Sequence, residues 1–291
     1  MILYLLLSII SSTFLLIILK SFIKWKVETL HGIIINYWTA ASFSFLLSPG
    51  ENYAQLPALK PIWFVSLGIG FLFIVVFYIT AKTAQKTGVA VASVASKMSM
   101  VIPITAGLFL YNESMGLQKM IGILIAIPAV ILASNGSSMK VNQKFKMTDA
   151  GLPILLFFGA GLVDTAIKYA QHHFMNDDNR QVVIMSIFAS AGLFGILRLL
   201  FEILILKKKL SWISIGGGIL LGITNYLSLF FLLRCLESPG TESSTVFAYV
   251  NIGVVISSFF AGLLVFHEKP ERNKIIGVAL SLVAIVILSY Q

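Results

Sequence analysis

Runs of about twenty mostly apolar residues follow one another along the chain, separated by short clusters of charged and turn-forming residues. A helix needs roughly 20 such residues to cross the hydrocarbon core of a bilayer. With the polar clusters as boundaries, ten spans emerge, at roughly 2–19, 30–47, 61–81, 88–110, 117–134, 150–170, 181–206, 211–233, 240–266 and 274–290. Each is expected to be a helix. The runs are about twice the length of a barrel strand and lack its period-two alternation. An open backbone in hydrocarbon would leave polar groups unsatisfied, at several kcal/mol each.

The longest polar gaps lie at 48–60 and 135–149, the second reading NGSSMKVNQKFKMTD. It is central and flexible in composition, as a linker between two halves would be. The halves resemble each other. AGLFLYNE at 106–113 recurs as AGLLVFHE at 261–268, an offset of 155, and KMIG at 119–122 recurs as KIIG at 274–277. Upstream, Lys82 with Gly88 matches Arg234 with Gly240 at an offset of 152, so the second half holds a three-residue insertion. Five helices per half is an odd number, so sequential copies must enter the membrane from opposite sides, the arrangement of inverted-repeat transporters. The expected fold is an all-α integral membrane protein of ten transmembrane helices in two inverted five-helix repeats, 1–134 and 150–291, joined by the linker 135–149.

Composition agrees. Of 291 residues, 58% are hydrophobic and 11% charged, with a mean hydropathy of +0.93. Soluble domains carry about 25% charged residues. The formal net charge of +9 could suggest nucleic acid, but no basic stripe interleaves with aromatics, and most basic residues sit in the gaps. Gaps after odd-numbered spans hold fourteen of the 21 Lys and Arg residues, and gaps after even-numbered spans four. Lys97, Lys168 and Arg198 lie within spans. The positive-inside rule then puts the odd-numbered gaps in the cytoplasm and both termini outside. Cys235 is the only cysteine, which excludes an internal disulfide and a cysteine metal cluster. The four histidines show no HExxH spacing, and His172-His173 with Asp177-Asp178 reads as a polar gap. The first apolar run has no basic residues before it and no small-x-small site after it, so it is expected to be a retained helix and not a signal peptide.

Two features carry a resemblance. One is a basic residue and a small turn before an Ala- and Ser-rich fourth span, Lys82…Gly88-Val-Ala-Val-Ala-Ser93. The other is an acidic corner before a Gly-containing helix, Asn112-Glu113…Gly122 and His267-Glu268…Gly277. On these motifs, and on ten spans covering the whole chain, the sequence resembles the drug/metabolite transporter superfamily, in particular its ten-helix EamA-type members. Many relatives start inside the cell, whereas the charges here favour termini outside. The tryptophan-glycine signature of the first helix is replaced by Ser11-Ser12-Thr13. The resemblance implies transport of small solutes, a class that spans amino acids, sugars, nucleotide conjugates and drugs.

Polar residues inside the spans are the candidate chemistry. Lys97 stands about halfway along the fourth span among Ser93, Ala95, Ser96 and Ser99. A charge at that depth costs roughly 2.5–3.5 kcal/mol and usually faces a bundle interior or cavity. Pro103, six residues on, should weaken the helix and free backbone carbonyls. Lys97 can hold a substrate carboxylate or phosphate, release a proton, or pair with a neighbouring helix. Asp164 and Lys168, four apart in the sixth span, can pair with each other. Asp164 could instead face Lys97 and carry a coupling proton. Arg198 and Glu202 repeat the spacing nearer a span end, a structural or interfacial pair. Tyr249 and Asn251 in the ninth span align with Lys97 and Ser99 at the 152 offset. With Ser243, Ser244 and Thr245 they make a polar helix suited to a cavity or to interhelical hydrogen bonds. Asn36, with Tyr37 and Trp38, in the second span and Asn225, with Tyr226, in the eighth are further cavity candidates. Glu113 and Glu268 are expected to anchor loops and helix starts.

No nucleotide-binding loop and no metal or cofactor motif is present in the sequence. The expected activity is secondary active transport, an exporter of a small polar metabolite in the cytoplasmic membrane. Alternating access would be coupled to protons or to an exchanged solute. A lipid-linked carrier or flippase of the same superfamily is the alternative. An integral membrane enzyme is not expected, because no cluster of catalytic carboxylates, histidines or metal ligands shows near one interface. The expected partners are the bilayer and a small-molecule substrate, with protons or an exchanged solute as the coupling species and no nucleic acid.

Overall fold

A computed structural model describes residues 2–47, 60–110, 116–134, 147–175, 179–207, 209–236 and 243–289. Among these it is all-helical, with α1 (Ile2–Ser21), α2 (Thr29–Leu47), α3 (Lys60–Thr87), α4 (Val89–Met98), α5 (Val101–Leu110), α6 (Leu117–Ser134), α7 (Met147–Phe174), α8 (Arg180–Leu204), α9 (Trp212–Leu236), α10 (Ser243–Phe266) and α11 (Arg272–Ser289). Among the described residues, nine segments are long and apolar enough to cross a membrane, α4 and α5 together forming one of them, Val89–Gly107. The second expected span, α2, is 19 residues long and carries His31 and Asn36, both buried. The chain is a multi-pass membrane protein. The third and sixth expected spans, 61–81 and 150–170, run longer as α3 and α7: Lys82 and Lys86, counted as gap residues, lie in the last turns of α3.

The fourth span is broken. Pro103 has no N–H to offer the Ser99 carbonyl, and its ring crowds that carbonyl. The chain responds by leaving the α-helix at Ser99–Met100. Ile102 N–H bonds the Ser99 carbonyl at 2.9 Å in a tighter turn, and the Ser99 hydroxyl donates back to the Ser96 carbonyl at 2.6 Å.

Residues form two compact units, each drawing on both halves of the sequence. The first comprises Met1–Lys20, Ile79–Leu162 and Leu227–Gln291, the second Ser21–Tyr78 and Val163–Tyr226. In the first, Cys235, Val246, Val250 and Val254 form a buried cluster against Leu5 and Ile9. In the second, Ile62, Ile69, Ala170, Val182, Val183 and Ile187 form another. Tyr37 is enclosed by Phe73, Phe77 and Phe188, and its hydroxyl donates to the Phe73 carbonyl at 2.9 Å.

Within each unit, helices at equivalent places in the two halves pack together and run in opposite directions. α6 and α11 have 18 residues each, and their first residues, Leu117 and Arg272, are separated by the repeat offset. Gly122, near the start of α6, packs on Leu288 near the end of α11. Gly277, its equivalent near the start of α11, packs on the Ala133 backbone near the end of α6. Reciprocal contacts of this kind mark a two-fold relation between the pair. A Cβ at Gly277 would lie 2.2 Å from Ala133 N, so only glycine allows the approach. α2 and α8 are likewise antiparallel: His31 meets Glu202, Ile34 meets Gly195, and Trp38 Nε1 donates to the Gly192 carbonyl at 3.0 Å. α4 and α10 follow suit, since Val89 N–H reaches Glu268 just beyond the end of α10, while Asn251 inside α10 reaches Met100 just beyond α4.

Candidate functional site

In the first unit, polar groups gather on the broken fourth span. Lys97 occupies the last turn of α4, two residues before the break, and is half-buried. Ser93 is buried and its hydroxyl donates to the Ala90 carbonyl at 3.3 Å. Ser96 is half-buried and supplies the carbonyl that holds the Ser99 hydroxyl. Asn251, buried on α10, points its Nδ2 at Met100 Sδ, 3.9 Å away. Ser96 and Lys97 thus lie within three residues of the Ser99–Met100 break and Asn251 reaches Met100, while Ser93 sits further up α4 in the same unit. Tyr249, two residues from Asn251, is 53% exposed. The side chains of Ser243 and Ser244 lie outside the described residues, as do Glu113, Asp177 and Asp178.

At one end of the same unit, Glu268 holds the start of α4. Its Oε1 accepts Val89 N–H at 3.0 Å and the Lys20 ammonium at 2.5 Å, and its Oε2 accepts from Lys274. Gly88, at φ +113°, makes the corner; a Cβ there would run into the Glu268 carboxylate. An acidic side chain suits this place because the free N–H groups of a helix start carry partial positive charge. Burial pushes the Glu268 carboxyl up, but Lys274 and Lys20 outweigh it and hold the group below the usual glutamate range. Lys274, counted in a gap by the sequence, is buried against this carboxylate. The expected anchoring role of Glu268 is what the geometry provides.

In the second unit, α2 carries a polar ladder. Asn36 is wholly buried; its Oδ1 accepts from Asn225 Nδ2 of α9 at 3.2 Å, while its own Nδ2 has no hydrogen-bond partner. Asp164 and Lys168 stand one turn apart on α7, the former exposed and the latter half-buried.

Below Asn36 on α2 lies a cluster that sequence reasoning missed. Glu28 occupies the N-cap position of α2: its carboxylate accepts His31 N–H at 2.7 Å, and its own N–H donates to Ser214 Oγ of α9 at 3.0 Å. His31 is buried, with Nε2 3.0 Å from Glu202 Oε2 of α8. Arg198 donates to the other Glu202 oxygen at 2.8 Å, one turn away on α8, as the four-residue spacing suggested. Glu202 itself is 2% exposed. His31 Nδ1 is buried without a hydrogen-bond partner, 4.0 Å from Glu28 Oε2. One ligand-capable atom from each of Glu28, His31 and Glu202 falls within 4.8 Å of the others. The signal for this cluster is faint: a carboxylate just ahead of an apolar run, a histidine three residues into it, and an Arg–Glu pair in the equivalent helix of the other half.

Residues 1–135 match the model of the EamA-like transporter family. A protein of Haemophilus influenzae, described only as uncharacterized, is 28% identical over 290 residues, covering 97% of this chain and 96% of its own length.

Proposed function

We propose that the chain is a membrane transporter of the EamA kind: a secondary active exporter of a small polar metabolite that works by alternating access in the cytoplasmic membrane. The observation that carries this reading is the interruption of the fourth span at Ser99–Met100 beside Lys97, midway along the apolar segment Val89–Gly107. Transporters place substrate sites at such discontinuities near the bilayer midplane, where freed backbone groups and an intramembrane charge can face a wet cavity. The match of the first half to a transporter family supports it, and so does the antiparallel pairing of equivalent helices, which alternating access requires. Lys97 is the substrate-binding cation in this reading. Ser96 and Asn251 are polar neighbours of the break, Ser93 lies further up α4, and Tyr249 stands two residues from Asn251 on α10. Asn36, Asn225, Asp164 and Lys168 are further candidate polar residues, all within the second unit. The substrate class is an anion or zwitterion with a carboxylate or phosphate, since an ammonium recognises those groups.

Metabolite profiling of cells lacking the gene against cells overproducing the protein identifies the solute. Lys97→Ala and Lys97→Met are then expected to insert and fold normally but to lose roughly tenfold or more of the flux, the scale of losing a charged hydrogen bond. Full flux from both variants would remove Lys97 from the mechanism.

A further inference from the structure

We propose that His31 is a proton-binding site loaded through Glu28, poised at the N-terminus of α2. A carboxylate accepts hydrogen bonds and cannot donate them when ionised. Glu202 takes the Arg198 guanidinium on Oε1 and lies 3.0 Å from His31 Nε2 through Oε2. The imidazole must therefore carry its hydrogen on Nε2. That leaves Nδ1 with a bare lone pair, buried and unpartnered. Carboxylates that fix one ring nitrogen in this way make the other a directed base. What Nδ1 faces is Glu28 Oε2, 4.0 Å off, on a residue 42% exposed by its side chain. A proton arriving from water binds first at Glu28. The exposed Glu28 side chain must swing in to close the 4.0 Å gap; the Oε2–H bond then breaks, an Nδ1–H bond forms with the lone pair, and the carboxylate is left negative beside the imidazolium.

The Arg198 guanidinium already held by Glu202 favours a proton over a metal ion beside the ring. The groups facing the ring are Glu28 from its own helix, Glu202 and Arg198 from α8, and the uncharged Ser214 hydroxyl from α9 beside Glu28. Lys24 and Lys26, in the turn before α2, are turned to solvent. A divalent ion at this place would compete with Arg198 for Glu202. The imidazolium would also pin two parts of the second unit together, the α2 start through Glu28 and α8 through Glu202.

The binding step stands on this geometry alone; its use as the coupling proton rests on the transporter reading above. The test is nitrogen NMR of the protein in detergent with labelled histidine, the His31 signal being assigned by its loss in His31→Gln. The expected result is a ring that keeps its hydrogen on Nε2 throughout and gains one on Nδ1 as the pH falls. Glu28→Gln should weaken proton affinity about tenfold, the effect of removing one nearby opposite charge. A ring that stays neutral at every pH at which the protein is folded overturns the site and leaves the transporter reading untouched. So does a signal that answers only to added zinc. Loss of the transporter reading with the titration intact leaves the site standing.

Discussion

An ammonium and a carboxylate within the same unit illustrate how differently two buried charges can be used. Lys97 sits two residues before the break that Pro103 imposes, where the proposed ligand would be met. Glu268 is saturated by Lys20, Lys274 and Val89 N–H, and its work is to hold four chain segments at one end of the unit. Breaking a buried pair from one side costs about 3–5 kcal/mol because the partner is left uncompensated. Glu268→Gln is therefore expected to lower stability by about 3 kcal/mol at neutral pH. The folded carboxyl lies below its unfolded range, so its contribution is fully present above the usual glutamate value and is lost as pH falls through the folded one. Thermal unfolding in detergent should show the wild type losing stability on the acid side, and the variant starting lower with a flatter acid limb. Parallel acid limbs would refute this account. Lys97 and Glu268 were visible in the sequence because a charge interrupting or closing an apolar run needs explaining. His31 was not, because one imidazole near a span end reads as ordinary. Only the fold brings Glu202, 171 residues away, to its ring.

Helices were the most legible level, since hydropathy alone sets their number and approximate limits. What it did not set was continuity and length. The fourth span broke where a proline removes a hydrogen bond, an effect local enough to read in advance. The extra turns of α3 were invisible because Lys82 and Lys86 look like gap residues whether or not the helix continues beneath them. Helix pairing was half legible: the matched Gly122 and Gly277 stood out as a repeat, while their shared role in the α6–α11 contact needed coordinates. That contact makes a sharp prediction. Gly277→Ala must displace the Ala133 backbone and should cost about 2 kcal/mol, the usual penalty of overpacking. Gly68→Ala in α3 has nothing within 4 Å of the new methyl, so helix propensity alone acts and should stabilise by about 0.5 kcal/mol. Melting temperatures of the two variants should move in opposite directions. If both fall alike, the close approach of α6 and α11 does not limit stability.

For the molecule as a whole, inversion and orientation are separate questions. Antiparallel packing of α6 with α11, of α2 with α8 and of α4 with α10 follows from two sequential copies of five spans each entering from opposite sides. That geometry is the same whichever way up the protein sits. Orientation depends on the excess of Lys and Arg in the gaps after odd-numbered spans, fourteen against four. Insertion retains positive loops in the cytoplasm. Two of the fourteen need re-reading: Lys274 is buried on Glu268, and Lys20 spends its charge on the same carboxylate. Removing both leaves twelve against four, so the bias survives. The segment after α11 is therefore expected outside, with the α8–α9 connection inside. A periplasmically active phosphatase fused after residue 291 should be active, and a fluorescent protein fused there should stay dark. A reporter inserted near Lys207 should behave the opposite way. If the C-terminal fluorescent fusion glows and the phosphatase is silent, the charges do not set the orientation. Glu28 and His31, on the same side as the α8–α9 connection, would then face the outside, and the proposed proton site would load from there.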